Sequence, residues 1–230
     1  MDDSPFHYFY DTEFIDNGTT IDLVSIGVVA VPDWCLDPTM PHDATTDLAR
    51  RHARTYYAVN ADADIDALKR NEWLVRNVLP HLPVESRKSL DAYIANPSNH
   101  HPWPSIEYVE LSLKATEVKP KWVIANEVRD FLLAPFADAD DGAEVTIELW
   151  ADYGAYDHVA LAQLWGPMIA LPAGVPMYTN DLQQLRRTVG DLEYRPDVDP
   201  DAEHNALADA WYALDLYRGL RIIEHGRHTK

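Results

Sequence analysis

Four carboxylates and one imidazole stand out by type and spacing. Asp11 and Glu13 lie two residues apart in the aromatic-rich stretch His7 to Phe14, HYFYDTEF. That stretch reads as a strand. Side chains alternate between the faces of a strand, so both carboxylates point the same way. They follow Tyr8, Phe9 and Tyr10, which puts them where a buried strand reaches an edge. Two carboxylates on one side repel each other unless a proton or a cation intervenes. A hard divalent metal is the natural cation for oxygen ligands. An isolated Asp-x-Glu, however, more often marks a solvated strand end than a metal site.

Asp157 stands in Gly154-Ala155-Tyr156-Asp157-His158, directly after the strand-like stretch Val145 to Tyr153. This is the carboxyl end of a strand, where α/β proteins often place sites. By itself an acid there also suits a helix N-terminus, whose dipole it complements. His204 and Asp209 are five residues apart. On one continuous helix that spacing is about 500° of rotation, so the two side chains would diverge by about 140°. They converge if His204 lies on the loop before the helix and Asp209 on its second turn. Histidine titrates close to neutrality and is the commonest general base.

These residues need elements to hold them. After the first strand, Asn17-Gly18 is a turn signal and Thr20 to Val31 reads as its hairpin partner. The unbroken apolar run at the end of that partner suggests a strand covered on both faces. Thr55 to Asn60 reads as a third strand, and Asp66 to Leu79 as a helix with Leu68, Trp73, Leu74 and Val78 on one face. Ile106 to Leu113 alternates like a short strand, and Trp122 to Leu133 has the pattern of an amphipathic helix. Ala155 to Trp165 should be a helix stopped at Gly166-Pro167, and Val175 to Thr179 a short strand. Asp181 caps a helix over Leu182 to Val189, and a long helix runs from about Asn205 to Ile223. Strands first, then alternating helices and strands, predict one α/β domain over residues 1–230 with a mixed sheet. Pro32 to Arg54 follows no period and reads as a surface insertion, while Glu85 to Pro120 is hard to read apart from the short strand over Ile106 to Leu113.

In order along the chain these residues form a set: Asp11-Thr12-Glu13-Phe14, then Ala155-Tyr156-Asp157, then His204 to Asp209. The set resembles the DEDD superfamily of 3′–5′ exonucleases, in its histidine-bearing (DEDDh) subgroup. Tyr8 to Ile15, Ile26-Gly27-Val28-Val29, Glu148 to Ala151, Gly154 to Leu161 and Leu164-Trp165-Gly166-Pro167-Met168 are similar to the bacterial polyadenylate-specific 3′-exoribonucleases AS. The resemblance covers well over half the chain and fades in Pro32–Arg54 and Glu85–Pro120, which look like insertions in a shorter family body. It implies a ribonuclease H-like fold and two Mg²⁺ or Mn²⁺ ions held by Asp11, Glu13, Asp157 and Asp209. It further implies a single-stranded RNA 3′ end as substrate, 5′-mononucleotide products and a homodimer. His204 would take a proton from the attacking water, and Phe14 would wedge against the terminal base. The same chemistry on DNA, or an inactive interaction module of the same fold, are the alternatives.

Composition pulls the other way. The 230 residues carry 38 Asp and Glu against 19 Lys and Arg, a formal net charge of −19. Such a chain repels a polyanion at long range. Two divalent ions would place positive charge where a phosphate sits, and an enzyme that grips only a strand end needs few phosphate contacts. The basic groups Arg50, Arg51, Arg54 and Lys114, Lys119, Lys121 are candidates for steering. Cys35 is the lone cysteine, which excludes an internal disulfide and suits a cytoplasmic setting. No apolar run is long enough for a membrane span, and the first residues do not read as a signal peptide.

Overall fold

A computed structural model describes residues 6–95, 106–136, 146–190, 193–197 and 199–228. The first strand, β1 (Phe6–Asp16), turns at Gly18 into β2 (Ile21–Pro32), which pairs with it antiparallel. The helix α1 (His42–His52) leads to β3 (Arg54–Asn60), antiparallel to β2. Next come α2 (Ile65–Arg70), α3 (Glu72–Asn77) and α4 (Arg87–Ala95). The short β4 (Val118–Lys119) precedes α5 (Lys121–Leu133). The strand β5 (Ile147–Ala151) runs parallel to β1 and is followed by α6 (Ala155–Ala162). The short β6 (Asn180–Asp181), α7 (Leu182–Thr188) and α8 (Ala206–His228) complete the order. The sheet runs β4-β3-β2-β1-β5-β6, a mixed six-stranded sheet flanked by helices, in keeping with the ribonuclease H-like architecture expected.

Strand alternation sorts the core. Tyr8 and Tyr10 face α5 and α6, with Ile124, Val128, Ala160 and Leu161. Phe9 faces the opposite side, with Leu182 of α7 and Ala210, Leu214 and Tyr217 of α8. Both faces of β1 are therefore covered, and so are those of β2, with Val28 and Ala30 on one side and Val29 and Val31 on the other, as the apolar run of β2 requires. A third cluster, around Val24, Val59, Leu68, Leu79 and Leu90, joins α2 to α4 to the sheet. Among the described residues no helix is long and apolar enough to cross a membrane.

Several elements differ from expectation. The helix predicted over Asp66 to Leu79 is broken at Asn71. The Asn71 side chain accepts from the backbone of Trp73 and Leu74 and so starts a second helix. Ile106 to Leu113 is not a strand: it opens with a 3₁₀ turn at Ile106–Tyr108 and makes a single bridge, Leu111 to Val84. The strand expected at Val175 to Thr179 lies later, at Asn180–Asp181. Pro176 there has no N–H to give a ladder. The long last helix extends five residues past Ile223. Residues 32–54 follow no period, yet they contain α1. That helix is tied to α8 by the buried Arg218 guanidinium, which donates to Asp215, to the His42 carbonyl and to the Thr45 and Thr46 hydroxyls. His100 and His101 lie outside the described residues.

Candidate metal and catalytic site

The alternation of β1 continues past its aromatic residues. Phe9 faces α8, so Asp11 and Glu13 share that face, while Thr12 shares the α6 face with Tyr8 and Tyr10. On the α6 side, Thr12 fixes Asp157. Its backbone N–H and its hydroxyl both donate to Asp157 Oδ1, at 2.9 and 2.7 Å. Asp157 sits in the first turn of α6, just past a tight turn after β5. Tyr153 holds a left-handed backbone there, and the Gly154 N–H donates to Asp181 at 3.1 Å.

On the other side, α8 begins at Ala206, capped by the Asn205 side chain, which accepts from Leu207 and Ala208. His204 lies outside the helix with φ at +67°, and Asp209 is in the first turn rather than the second. The His204 backbone N–H donates to Asp209 Oδ2 at 2.9 Å, so the five-residue spacing closes on itself. One potential ligand atom from each of Glu13, His204 and Asp209 lies within 4.8 Å of the other two. Asp11, partly buried, and Asp157 lie outside that tightest grouping but within electrostatic reach of it. Opposite Asp11 in the ladder stands Gly27. A Cβ there would stand 2.3 Å from backbone atoms of Ala206 and Leu207, so only glycine lets α8 touch the sheet at this point.

The charges call for a cation. Burial, reinforced by Asp157, Glu13, Asp209 and Asp152, holds the Asp11 carboxyl well above its ordinary range. Burial and then Asp209 and Asp157 push Glu13 up to about 9. Asp157 is pushed up to about 6 by burial, against the lowering effect of its bonds from Thr12. Burial likewise raises Asp209 to about 6, against its bond from the His204 N–H. Among the described residues, no Lys or Arg is ion-paired with any of the four. A divalent cation on an oxygen-rich donor set with one imidazole fits this arrangement.

A 3′–5′ exoribonuclease found in two strains of Mycobacterium tuberculosis is 37% identical to the chain over 216 residues, 94% of the chain and 92% of the relative. The chain belongs to this 3′–5′ exoribonuclease family. No family model matches it. A solved full-length 3′-exonuclease superposes with a TM-score of 0.44 at 13% identity, covering 97% of the chain and 83% of its own length.

Within this family member, the structure brings Asp11, Glu13, Asp157, His204 and Asp209 to one end of β1. Phe14 follows a register shift against β2, where Val24 is the extra residue, and is partly buried, packed at the edge of the core. It stacks on exposed Tyr156 at 6.0 Å between ring centroids, with 14° between planes. The expected basic groups are dispersed. Arg51, Lys114 and Lys119 pair with Asp47, Glu85 and Glu127, while Arg54 lies over Phe131. Arg50 lies over Trp211 and lines a small cleft that reaches Asp209.

Sequence reasoning missed four residues here. Thr12 carries no signal beyond its place between two acids. Gly27 does carry one, being a glycine inside an otherwise apolar strand. Trp73, expected on a buried face, is instead half exposed, and its ring meets His204 edge-on at 4.8 Å. Asp152, at the end of β5, bonds Gln183 and adds negative charge beside Asp11 and Asp157.

Proposed function

We propose that the chain is a DEDDh 3′–5′ exoribonuclease that releases 5′-mononucleotides from single-stranded, adenosine-rich RNA with two Mg²⁺ or Mn²⁺ ions. The observation that carries this reading is the convergence of mutually repelling carboxylates from β1, α6 and α8, with Glu13 and Asp209 beside His204. Asp11, Glu13, Asp157 and Asp209 would hold the ions. When bound, such a pair clamps the attacking and leaving oxygens of an in-line displacement.

The side chains supply the rest. Thr12 holds one Asp157 oxygen in a fixed direction and leaves the other free to ligate. His204 accepts a proton at a ring nitrogen from the attacking water. Its left-handed backbone keeps the ring off the helix, and the Trp73 edge limits its rotation. Phe14, backed by Tyr156, offers a π-face to the terminal base. The adenosine preference and the homodimer rest on the resemblance to the polyadenylate-specific enzymes. The cytoplasmic setting rests on the lone, free Cys35.

The test is a digest of 5′-labelled oligo(A), oligo(U), oligo(C), oligo(G) and oligo(dA) with Mg²⁺, Mn²⁺ or EDTA. The reading expects metal-dependent shortening from the 3′ end, fastest on oligo(A). Equal rates on oligo(A) and oligo(dA) would favour a DNA-directed or sugar-blind enzyme. No shortening of any strand would favour an inactive module.

A further inference from the structure

Beside the site lies a cleft of about 600 Å³ that His204 helps to line. One side is built by α3, the 3₁₀ turn at Leu79–His81 and α4, and the other by the loop that precedes α8. We propose that this cleft binds phosphates of the RNA strand upstream of the 3′-terminal nucleotide, with Arg76 and Arg87 as the contacting cations. The proposal rests on the exoribonuclease reading above.

Three observations carry it. First, position: a strand whose terminal phosphate reaches Glu13, His204 and Asp209 must leave along a surface continuous with them, and His204 lines both. Second, cations: in a chain with half as many Lys and Arg as Asp and Glu, the cleft gathers Arg76 and Arg87 in one lining with His204. Burial, and then His204 and Arg87 nearby, keep the His81 imidazole below its ordinary range, so it serves as a neutral donor and not as a cation. Third, availability: Arg76 pairs with Glu72 and Arg87 with Asp91, each one helical turn away on its own helix, and both carboxylates are more than half exposed. Such pairs contribute only a few tenths of a kcal/mol, so a phosphate can displace them. A guanidinium matches a phosphate with two parallel bonds. Asp91, Asp201 and Glu203 line the same cleft. The cleft therefore suits one or two phosphates, not a long basic track.

A dinucleotide carries only the scissile phosphate, so chain length isolates the cleft. The experiment measures kcat/KM for wild type, Arg76→Gln and Arg87→Gln on RNAs of two to eight nucleotides, at fixed Mg²⁺ and increasing monovalent salt. Each variant should lose roughly tenfold or more on the longer RNAs, as expected for one charge-assisted contact, and nothing on the dinucleotide. The salt slope on the octamer should shrink by about 0.7 per lost contact. Arg87 also donates to the Pro80 carbonyl. If Arg87→Gln melts early, Arg76→Gln, whose partner is exposed Glu72, decides the matter. Wild-type rates at every length in a folded variant overturn the proposal. Equal losses at all lengths, together with weaker inhibition by 5′-AMP, overturn it in favour of a product site. A wild type that digests no length removes the exoribonuclease reading first, and the proposal with it.

Discussion

Gly27→Ala asks whether α8 must touch the sheet for catalysis. The added Cβ would lie 2.3 Å from the carbonyl carbon and oxygen of Ala206 and from the Leu207 nitrogen. All three are backbone atoms, so no rotamer change relieves the contact. Ordinary contact begins at 3.4 Å, so the helix start must retreat by 3.4 − 2.3, about 1.1 Å. That turn carries Asp209, and the loop before it carries His204, while Asp11 pairs with Gly27 on the strand they approach. Overpacking of this kind costs roughly 1–3 kcal/mol in stability. A displacement of about 1 Å in a catalytic constellation costs on the order of 10²-fold in rate. The assay is kcat on a 5′-labelled oligonucleotide at saturating Mg²⁺, alongside thermal melting. Gly226→Ala on the same helix, where nothing lies within 4 Å of the added methyl, is the control. It should keep full activity and gain up to about 1 kcal/mol, because alanine is the better helix former. A folded Gly27→Ala protein with wild-type kcat would refute the argument that this contact positions the site.

Asp11→Asn should eliminate turnover and raise the melting temperature in EDTA, because it removes one of several buried like charges; near-normal hydrolysis contradicts the ligand assignment. Asp157 and Asp209 titrate near about 6 and Glu13 near about 9 in the metal-free fold, all above their ordinary values. Their contribution to stability is therefore present below about pH 4 and lost as pH rises through about 6 and then about 9. Melting in EDTA should drop across that range, and saturating Mn²⁺ should shrink the drop; superimposable profiles with and without metal would count against it. His204→Ala should lower kcat by roughly 10²–10⁴-fold with metal affinity kept by calorimetry; joint loss of both would make His204 a ligand. Arg218→Ala should destabilise by about 3 kcal/mol or more and speed hydrogen exchange in α1, since it deletes the guanidinium that holds His42, Thr45 and Thr46. Unchanged denaturant midpoints would show that α1 is held by other contacts.

Much of the site was legible because its signals are local. Alternation along one strand suffices to put Asp11 and Glu13 on one face. The long run of small and apolar residues from Ala206 to Tyr217 suffices to announce α8 and its buried stripe. The closure of His204 on Asp209 needed the histidine outside the helix, and a left-handed backbone puts it there. What stayed hidden is long-range. Thr12 and Asp157 are 145 positions apart, and nothing in either neighbourhood announces their bond. Asn71 looks like one more helical residue until its side chain caps the next helix and turns Trp73 toward His204. The partners of Arg76 and Arg87 are local, but the cleft they share depends on how α3 and α4 pack against the loop before α8.

The most direct test of the central claim is a time-resolved digest of 5′-labelled single-stranded RNA by wild type and Asp157→Asn, side by side in Mg²⁺. Asp157 is the ligand candidate most firmly held, by two bonds from one residue of β1. The account predicts a ladder that shortens one nucleotide at a time from the 3′ end with wild type, and intact RNA with the folded variant. A one-nucleotide ladder from Asp157→Asn at a rate near wild type would contradict it.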